Sequence, residues 1–275
     1  MIIVDIGAND GALGQYILEK QSEFYVYSVE PNSILCGEVL SNLQNKFRGH
    51  FKYIPVAIDQ ESGRSKLFAS NIMNSQLASL RQVNTSAPWT DAVSKHLQSS
   101  AKNEYIEVDT LSVSDFMTQE KLNLIDFLKI DSQGTDLEIL EHFLANAEVK
   151  VAAVEVEISF DQKNLHYQDS QNNIERLFQI ISTYNYHIYK LVPASSDCNE
   201  YNAFIAKTHD NYLRVDSILH FEKLPPFERF WAVMGMGGAD TSSIMELQSQ
   251  FFRKLISAFK HPLNSYRSLL LKITR

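Results

Sequence analysis

The residues best suited to chemistry fall in three clusters. The first is the stretch VDIGANDGALG, residues 4–14, in which Asp5 precedes a turn rich in glycine. Gly7 and Gly11 allow the backbone to bend sharply and to approach a ligand with no Cβ in the way. The second is Glu30, at the end of YVYSVE and followed by Pro31 and Asn32, where a carboxylate can accept hydrogen bonds from both hydroxyls of a ribose. The third joins Asp131, which closes the apolar run LIDFLKI, with Glu155 and Glu157 at the end of VKVAAVEVEI and His166 beyond them. Charged groups are seldom buried in a central strand without a task.

The charges around the first turn choose among ligands. A dinucleotide site follows G-x-G-x-x-G and seats a pyrophosphate at the helix N-terminus. Asn9 stands in place of the second glycine, and Asp5 and Asp10 flank it, which is a poor setting for a doubly negative group. S-adenosylmethionine carries a sulfonium, an ammonium and one carboxylate, so the same acidic residues suit it. The expected cofactor contacts run through the turn (Asp5, Gly7, Ala8, Asn9, Asp10, Gly11), the end of the second strand (Glu30, Pro31, Asn32), Ala57 and Asp131. Methyl transfer to a hydroxyl needs alignment and a base for the hydroxyl proton. Asp131, Glu157 and His166 are the candidate catalytic residues, with the choice among them left open. Lys129 reads as a partner for a carboxylate. No cluster has metal-ligand spacing, so no metal is expected.

These side chains need a scaffold that gathers strand ends. Residues 2–6, 25–30, 51–58, 124–130 and 149–158 read as strands, with Pro55 suggesting an edge position or a strand end in the third, and 12–20, 33–47, 136–146 and 172–184 read as helices. Residues 63–70 and 105–111 read as extended, 113–117 as a helical turn, and 186–191 and 201–207 as closing strands. Such alternation predicts an α/β fold, a parallel sheet with helices on both faces. Ligands then bind beyond the carboxyl ends of the strands. The strand ending at Asp131 is expected beside the first, next to the glycine turn. The polar stretch 71–103 and the loop 159–169 are expected to choose the acceptor.

The chain has 275 residues with 44% hydrophobic content, enough for one large domain and an appendage. A net charge of −8 argues against nucleic acid as the main ligand. Cys36 and Cys198 match no metal or redox spacing, which fits a reducing compartment. No apolar run approaches the ~18 residues of a membrane span. Met1 enters the first strand with no basic, apolar leader, so a cytoplasmic location is expected. With nothing ahead of that strand, any cover over the pocket is expected from the middle loops, the C-terminal residues or another subunit.

VDIGANDG, VEPN, IDFLKIDSQGTDLEIL and VEISF…LHY, in this order, resemble the FkbM-type methyltransferases, and EYNAFIAK resembles that family's closing strand. The resemblance spans residues 4–207. It implies an S-adenosylmethionine-dependent enzyme with the class I methyltransferase Rossmann-like fold, a mostly parallel seven-stranded sheet. Many members are thought to O-methylate hydroxyls of sugars, glycans or secondary metabolites. Residue by residue, it implies Asp5, Gly7, Asn9 and Gly11 in the cofactor loop and Glu30, Pro31 and Asn32 at the ribose. It further implies Lys129, Asp131 and Gly134 in the strand-four motif and Glu157 with Tyr167 in the strand-five region. Gln133 stands where a glutamate is common, and His142 where a glycine often closes the helix.

Two domains are expected: a methyltransferase domain over 1–208 and a helical C-terminal extension over 209–275. Ile244, Leu247, Phe251, Leu255 and Phe259 form an apolar helical stripe, and every charged residue after Glu246 is basic. The stripe is expected to pack on its own domain with a solvated basic face; the alternative is that the basic end docks on an anionic glycan, a membrane surface or a partner subunit, so that copies of the chain associate through the extension. Two other functions fit the pattern less well: a non-catalytic binding module on the same fold, and a nicotinamide-dependent oxidoreductase.

Overall fold

The computed structural model describes residues 1–68, 78–82, 84, 105–159, 167–194 and 200–219. The chain divides into two units, Met1–Leu224 and Pro225–Arg275. The second unit, with the expected apolar stripe and basic end, lies outside the described residues, as do His166, Phe160 and Cys198.

In chain order the described elements are β1 (Ile2–Ile6), α1 (Ala12–Lys20), β2 (Tyr25–Val29), α2 (Ser33–Lys46), β3 (Phe51–Ile54), β4 (Ala57–Asp59), β5 (Gly63–Phe68) and β6 (Tyr105–Ser112). There follow α3 (Val113–Glu120), β7 (Leu124–Ile130), α4 (Asp136–Ala145), β8 (Lys150–Ser159), α5 (Ile174–Tyr184), β9 (His187–Pro193), β10 (Glu200–Ala206) and α6 (His209–Leu219). Side chains that prefer caps start several helices. Asn32 accepts from the Leu35 amide at 3.3 Å, Ser112 from Asp115 at 3.1 Å and Asn173 from Arg176 at 2.9 Å.

Seven strands form one sheet in the order β3-β2-β1-β7-β8-β10-β9. Neighbours are parallel except where β10 runs antiparallel to both β8 and β9. Ile3, Val26, Phe51, Phe127, Ala153 and Ala206 lie in register across it. They share one core with Ile17 and Leu18 of α1, Leu40 and Leu43 of α2, and Val215 of α6. On the other face Val4, Leu128, Val154 and Ile205 are also buried. There α4 and α5 pack on β8, and Phe116 of α3 meets Phe143 of α4 edge-on. Both faces are therefore covered, as a parallel sheet of near-continuous apolar strands requires.

One expected element is divided. The strand foreseen over 51–58 breaks at Pro55, which has no N–H to give a ladder. β3 stops at Ile54, and β4 leaves the main sheet to pair with β6. β4, β6 and β5 make a second, three-stranded sheet. Among the described residues no helix is long and apolar enough to cross a membrane.

Candidate active site

β1 ends between β2 and β7, so its last residues meet the ends of both neighbours. A Cβ on Gly7 would lie 1.8 Å from the Asp131 carbonyl oxygen, and Gly7 has φ +76. The Asp131 amide donates to the Ile6 carbonyl at 2.9 Å. The expected adjacency of Asp131 and the turn is thus a contact that only glycine permits.

Four amides of the turn are already engaged. Those of Gly7 and Ala8 donate to the Val29 carbonyl at 3.0 and 3.1 Å, and that of Gly11 to the Ala8 carbonyl at 2.8 Å. Asn9 donates its amide to Glu30 Oε2 at 3.0 Å. A pyrophosphate cradle needs such N–H groups aimed at the ligand. Here they lock the turn onto β2 and Glu30, which weighs against a dinucleotide. Asn9 sits at φ 50 and accepts from Cys36 Sγ at 3.4 Å. Asp10 is exposed and accepts from the Ala12 amide at 3.1 Å, so its carboxylate serves the start of α1.

Glu30 is buried just past β2. Its Oε1 accepts from the Asn32 amide at 2.8 Å, while Oε2 takes the Asn9 amide. Burial pushes its pKa up, against the pull of these two amides. A carboxylate offers about four acceptor positions, so room remains for two hydroxyl donors. Pro31 is half-buried and Asn32 buried beside it.

Below the strand ends runs a polar row across four adjacent strands. Ser28, Asp5, Lys129 and Glu155 are successive register partners on β2, β1, β7 and β8, and the row ends at Phe204 on β10. Lys129 Nζ lies 3.1 Å from Asp131 Oδ2 and 3.8 Å from Asp5 Oδ1. The second distance is an attraction without a hydrogen bond, and Asp5 Oδ1 is buried without a hydrogen-bond partner. Burial lifts the Asp5 carboxyl to about 6, against the attraction of Lys129 and with the repulsion of Asp131 and Asp10. Burial likewise lifts Glu155 to about 7, with Lys129 opposing. Burial favours a neutral Lys129, but Asp131, Asp5 and Glu155 together hold its pKa above the ordinary range. Lys129 is the carboxylate partner the sequence suggests.

Asp131 is held at both oxygens. Oδ2 faces Lys129, and Oδ1 accepts from Gln133 Nε2 at 2.7 Å. Its side chain is still 37% exposed, so a ligand can reach it. Gln133, at φ 58, accepts from the Tyr167 hydroxyl at 2.7 Å and receives the Ser79 hydroxyl at its carbonyl. Asp136 has a structural task. It accepts from the amides of Ser132 at 2.7 Å and Gly134 at 2.9 Å and from the Asn172 side chain, and Asn172 in turn accepts from the Leu137 amide at 3.0 Å. Burial lifts Asp136 to about 6.

Glu157 lines a small cleft with Gly134, Tyr167, Ser170, Asn172 and Glu200. Burial, and next the Glu200 carboxylate, push its pKa well above the usual range. The fold therefore gathers Asp5, Gly7, Ala8, Asn9, Glu30, Asn32 and Asp131 at the ends of β1, β2 and β7, with Glu157 in the neighbouring cleft. Ala57 is buried in the second sheet with Leu67 and Val108. Sequence reasoning missed Glu200 and Asn172. No local signal marks either, because each earns its place through a partner more than 30 positions away.

A sheet in this order, with one antiparallel strand inserted next to its edge and acidic groups at the carboxyl ends, defines the class I methyltransferase fold. A family model, described as the methyltransferase FkbM domain, matches residues 5–188. The chain belongs to this family, an S-adenosylmethionine-dependent methyltransferase family. No curated protein matches the chain. Several solved structures are similar at low identity. An O-methyltransferase family 2 protein from Planctomyces limnophilus, in complex with apigenin, is 8% identical with a TM-score of 0.39, and the match covers 75% of this chain but only half (50%) of that one. Magnesium protoporphyrin IX methyltransferase from Synechocystis PCC 6803, with bound S-adenosylmethionine, is 10% identical with a TM-score of 0.38 over 75% and 69% of the two chains. M. capricolum TrmK, with S-adenosylhomocysteine, is 15% identical with a TM-score of 0.37 over 100% and 88%.

Proposed function

We propose that this chain transfers a methyl group to a hydroxyl oxygen on a sugar, glycan or secondary metabolite. The observation that carries this reading is the placing of two carboxylates near the strand ends, Asp131, whose carbonyl lies against Gly7, and Glu157 in the cleft lined by Gly134 and Tyr167. A neutral amine already presents a lone pair. A hydroxyl becomes a good nucleophile only as its proton leaves, and a carboxylate raised as burial raises Glu157 suits that task.

The residues present fit S-adenosylmethionine. The buried Asp5 oxygen without a hydrogen bond suits a cationic group, and Glu30 has acceptor positions to spare for ribose hydroxyls. Gly7 and Asn9 shape the floor between them. When bound, the cofactor supplies an electrophilic methyl carbon on a sulfonium. Asp131 and Glu157 orient the acceptor hydroxyl and take its proton, and His166 remains a third candidate for that role.

Mass spectrometry of extracts treated with the protein and methyl-labelled S-adenosylmethionine tests the reading. Label is expected in alkali-stable methyl ethers. Asp131→Asn and Glu157→Gln should each lower turnover about 100-fold or more, a larger loss than either causes in calorimetric affinity for S-adenosylmethionine. No heat of binding with folded protein would point to the non-catalytic module, and label confined to nitrogen would refute the hydroxyl acceptor.

A further inference from the structure

We propose that Gln133 is a positioning residue of the site: its side-chain amide joins the Tyr167 hydroxyl to Asp131 Oδ1 and so fixes the direction in which Asp131 faces a ligand. This deepens the methyl-transfer reading above and rests on it for its catalytic meaning, although the hydrogen-bond chain itself is a property of the free protein.

The backbone of Asp131 is fixed by β1, through the Ile6 carbonyl and the close approach of Gly7. Its side chain is a separate matter, because rotation about χ1 and χ2 could carry the carboxylate away from the turn. Among the described residues two side chains hold it, Lys129 at Oδ2 and Gln133 at Oδ1. They are not equivalent. Lys129 is a point charge on a flexible stem, with Asp5 also drawing it at 3.8 Å. It attracts the carboxylate without choosing an angle. The Gln133 amide is planar and donates along fixed directions, at 2.7 Å.

Chemistry permits one sense for this chain. An ionised carboxylate only accepts, so Nε2 must face Asp131 and Oε1 must face the other way. Oε1 then needs a donor, and the Tyr167 hydroxyl lies 2.7 Å from it. Tyr167 is buried, and burial pushes its ionisation well up, so it remains a donor. The amide cannot turn over without setting its oxygen against the carboxylate.

The backbone serves the same end. Gln133 sits at φ 58, a left-handed conformation that is costly for a residue with a side chain and persists only where the surroundings over-determine it. Here they do. The Ser79 hydroxyl donates to the Gln133 carbonyl, and the amides on either side, Ser132 and Gly134, donate to Asp136. Gly134 also packs so closely that a Cβ on it would lie 2.9 Å from the Tyr167 side chain. Of the roughly four acceptor positions of a carboxylate, two on Asp131 are filled. Its side chain is partly exposed, so the remaining positions open toward a ligand in one fixed orientation. Methyl transfer depends on such alignment, and a shift of about 1 Å can cost about 100-fold in rate.

The test has two arms. In full-length protein with 15N-labelled glutamine and nothing added, NMR reads the side-chain amides. The signal lost in Gln133→Met, or in Gln133→Glu if the methionine variant fails to fold, is that of Gln133. Its hydrogen-bonded proton should lie downfield of free glutamine amides and move toward them in Asp131→Ala. A wild-type signal at the free position, or one indifferent to Asp131→Ala, would overturn the proposal. The second arm follows label from S-adenosylmethionine into the extract fraction that the wild type methylates. Gln133→Met should lower the saturated rate about 10- to 100-fold, with a smaller change in the S-adenosylmethionine concentration that gives half that rate. Tyr167→Phe should lower the rate by less. In an Asp131→Ala background Gln133→Met should add little, since it then has no carboxylate to position. A full additive loss there would place the action of Gln133 elsewhere and refute the proposal. If the wild type labels no fraction, the methyl-transfer reading fails and the amide measurement alone decides the hydrogen-bond chain.

Discussion

Replacing Asp5 by Asn should make the fold more stable while weakening the cofactor site. The carboxylate is 1% exposed, one of its oxygens lacks a hydrogen bond, and its nearest cation stands at 3.8 Å. Its pKa rises from 3.8 to about 6 in the folded chain. A raised acid pKa means that the folded state holds a proton more tightly than the unfolded one. Stability therefore falls as pH climbs from about 4 to about 6, and the full cost persists above that window. Roughly two pH units at about 1.4 kcal/mol each give a cost near 3 kcal/mol. Asparagine mimics the protonated form and escapes it. Urea unfolding of both proteins should show the variant ahead by up to about 3 kcal/mol near pH 8, with the gap closing toward pH 4. Isothermal calorimetry at about pH 8 should show S-adenosylmethionine binding weakened about 10- to 100-fold, the worth of one buried charged contact. A variant that is less stable near pH 8, or that binds the cofactor as tightly as the wild type, would refute the assignment of Asp5.

Glu30→Ala removes the acceptor of two backbone amides, those of Asn9 and Asn32. It should cost about 2 kcal/mol or more of stability in chemical denaturation, and cofactor affinity in calorimetry should fall at least tenfold. Gly7→Ala and Gly49→Ala form an internal control, since both glycines have positive φ but only Gly7 faces backbone, at 1.8 Å. Gly49→Ala should cost about 1–2 kcal/mol, and Gly7→Ala more than about 3 kcal/mol or fail to fold. Equal melting temperatures for the two variants would show that the Asp131 crossing is not tight.

Much of the scaffold can be read from local pattern. β1, α1 and β7 span the residues their apolar runs predict, because strand and helix periods and the glycine turn are short-range properties. The same holds for Asp5, Glu30 and Asp131, which stand at strand ends in compact motifs. The break at Pro55 was only half legible. Proline forbids a ladder partner, yet nothing nearby says that Ala57–Asp59 joins another sheet through Thr110 and its neighbours.

The sequence by itself determined the order of elements, the glycine turn that closes β1 and the acidic character of the strand ends. Tertiary structure alone decided what each acid does. Asp136 is turned inward by Asn172, Gln133 is fixed between Asp131 and Tyr167, and Glu200 is brought to Glu157. Strand order and register set these meetings, and both depend on how distant segments pack rather than on any residue's neighbours in the chain. A carboxylate's role follows from its burial and its partners, and those exist only once the sheet has closed.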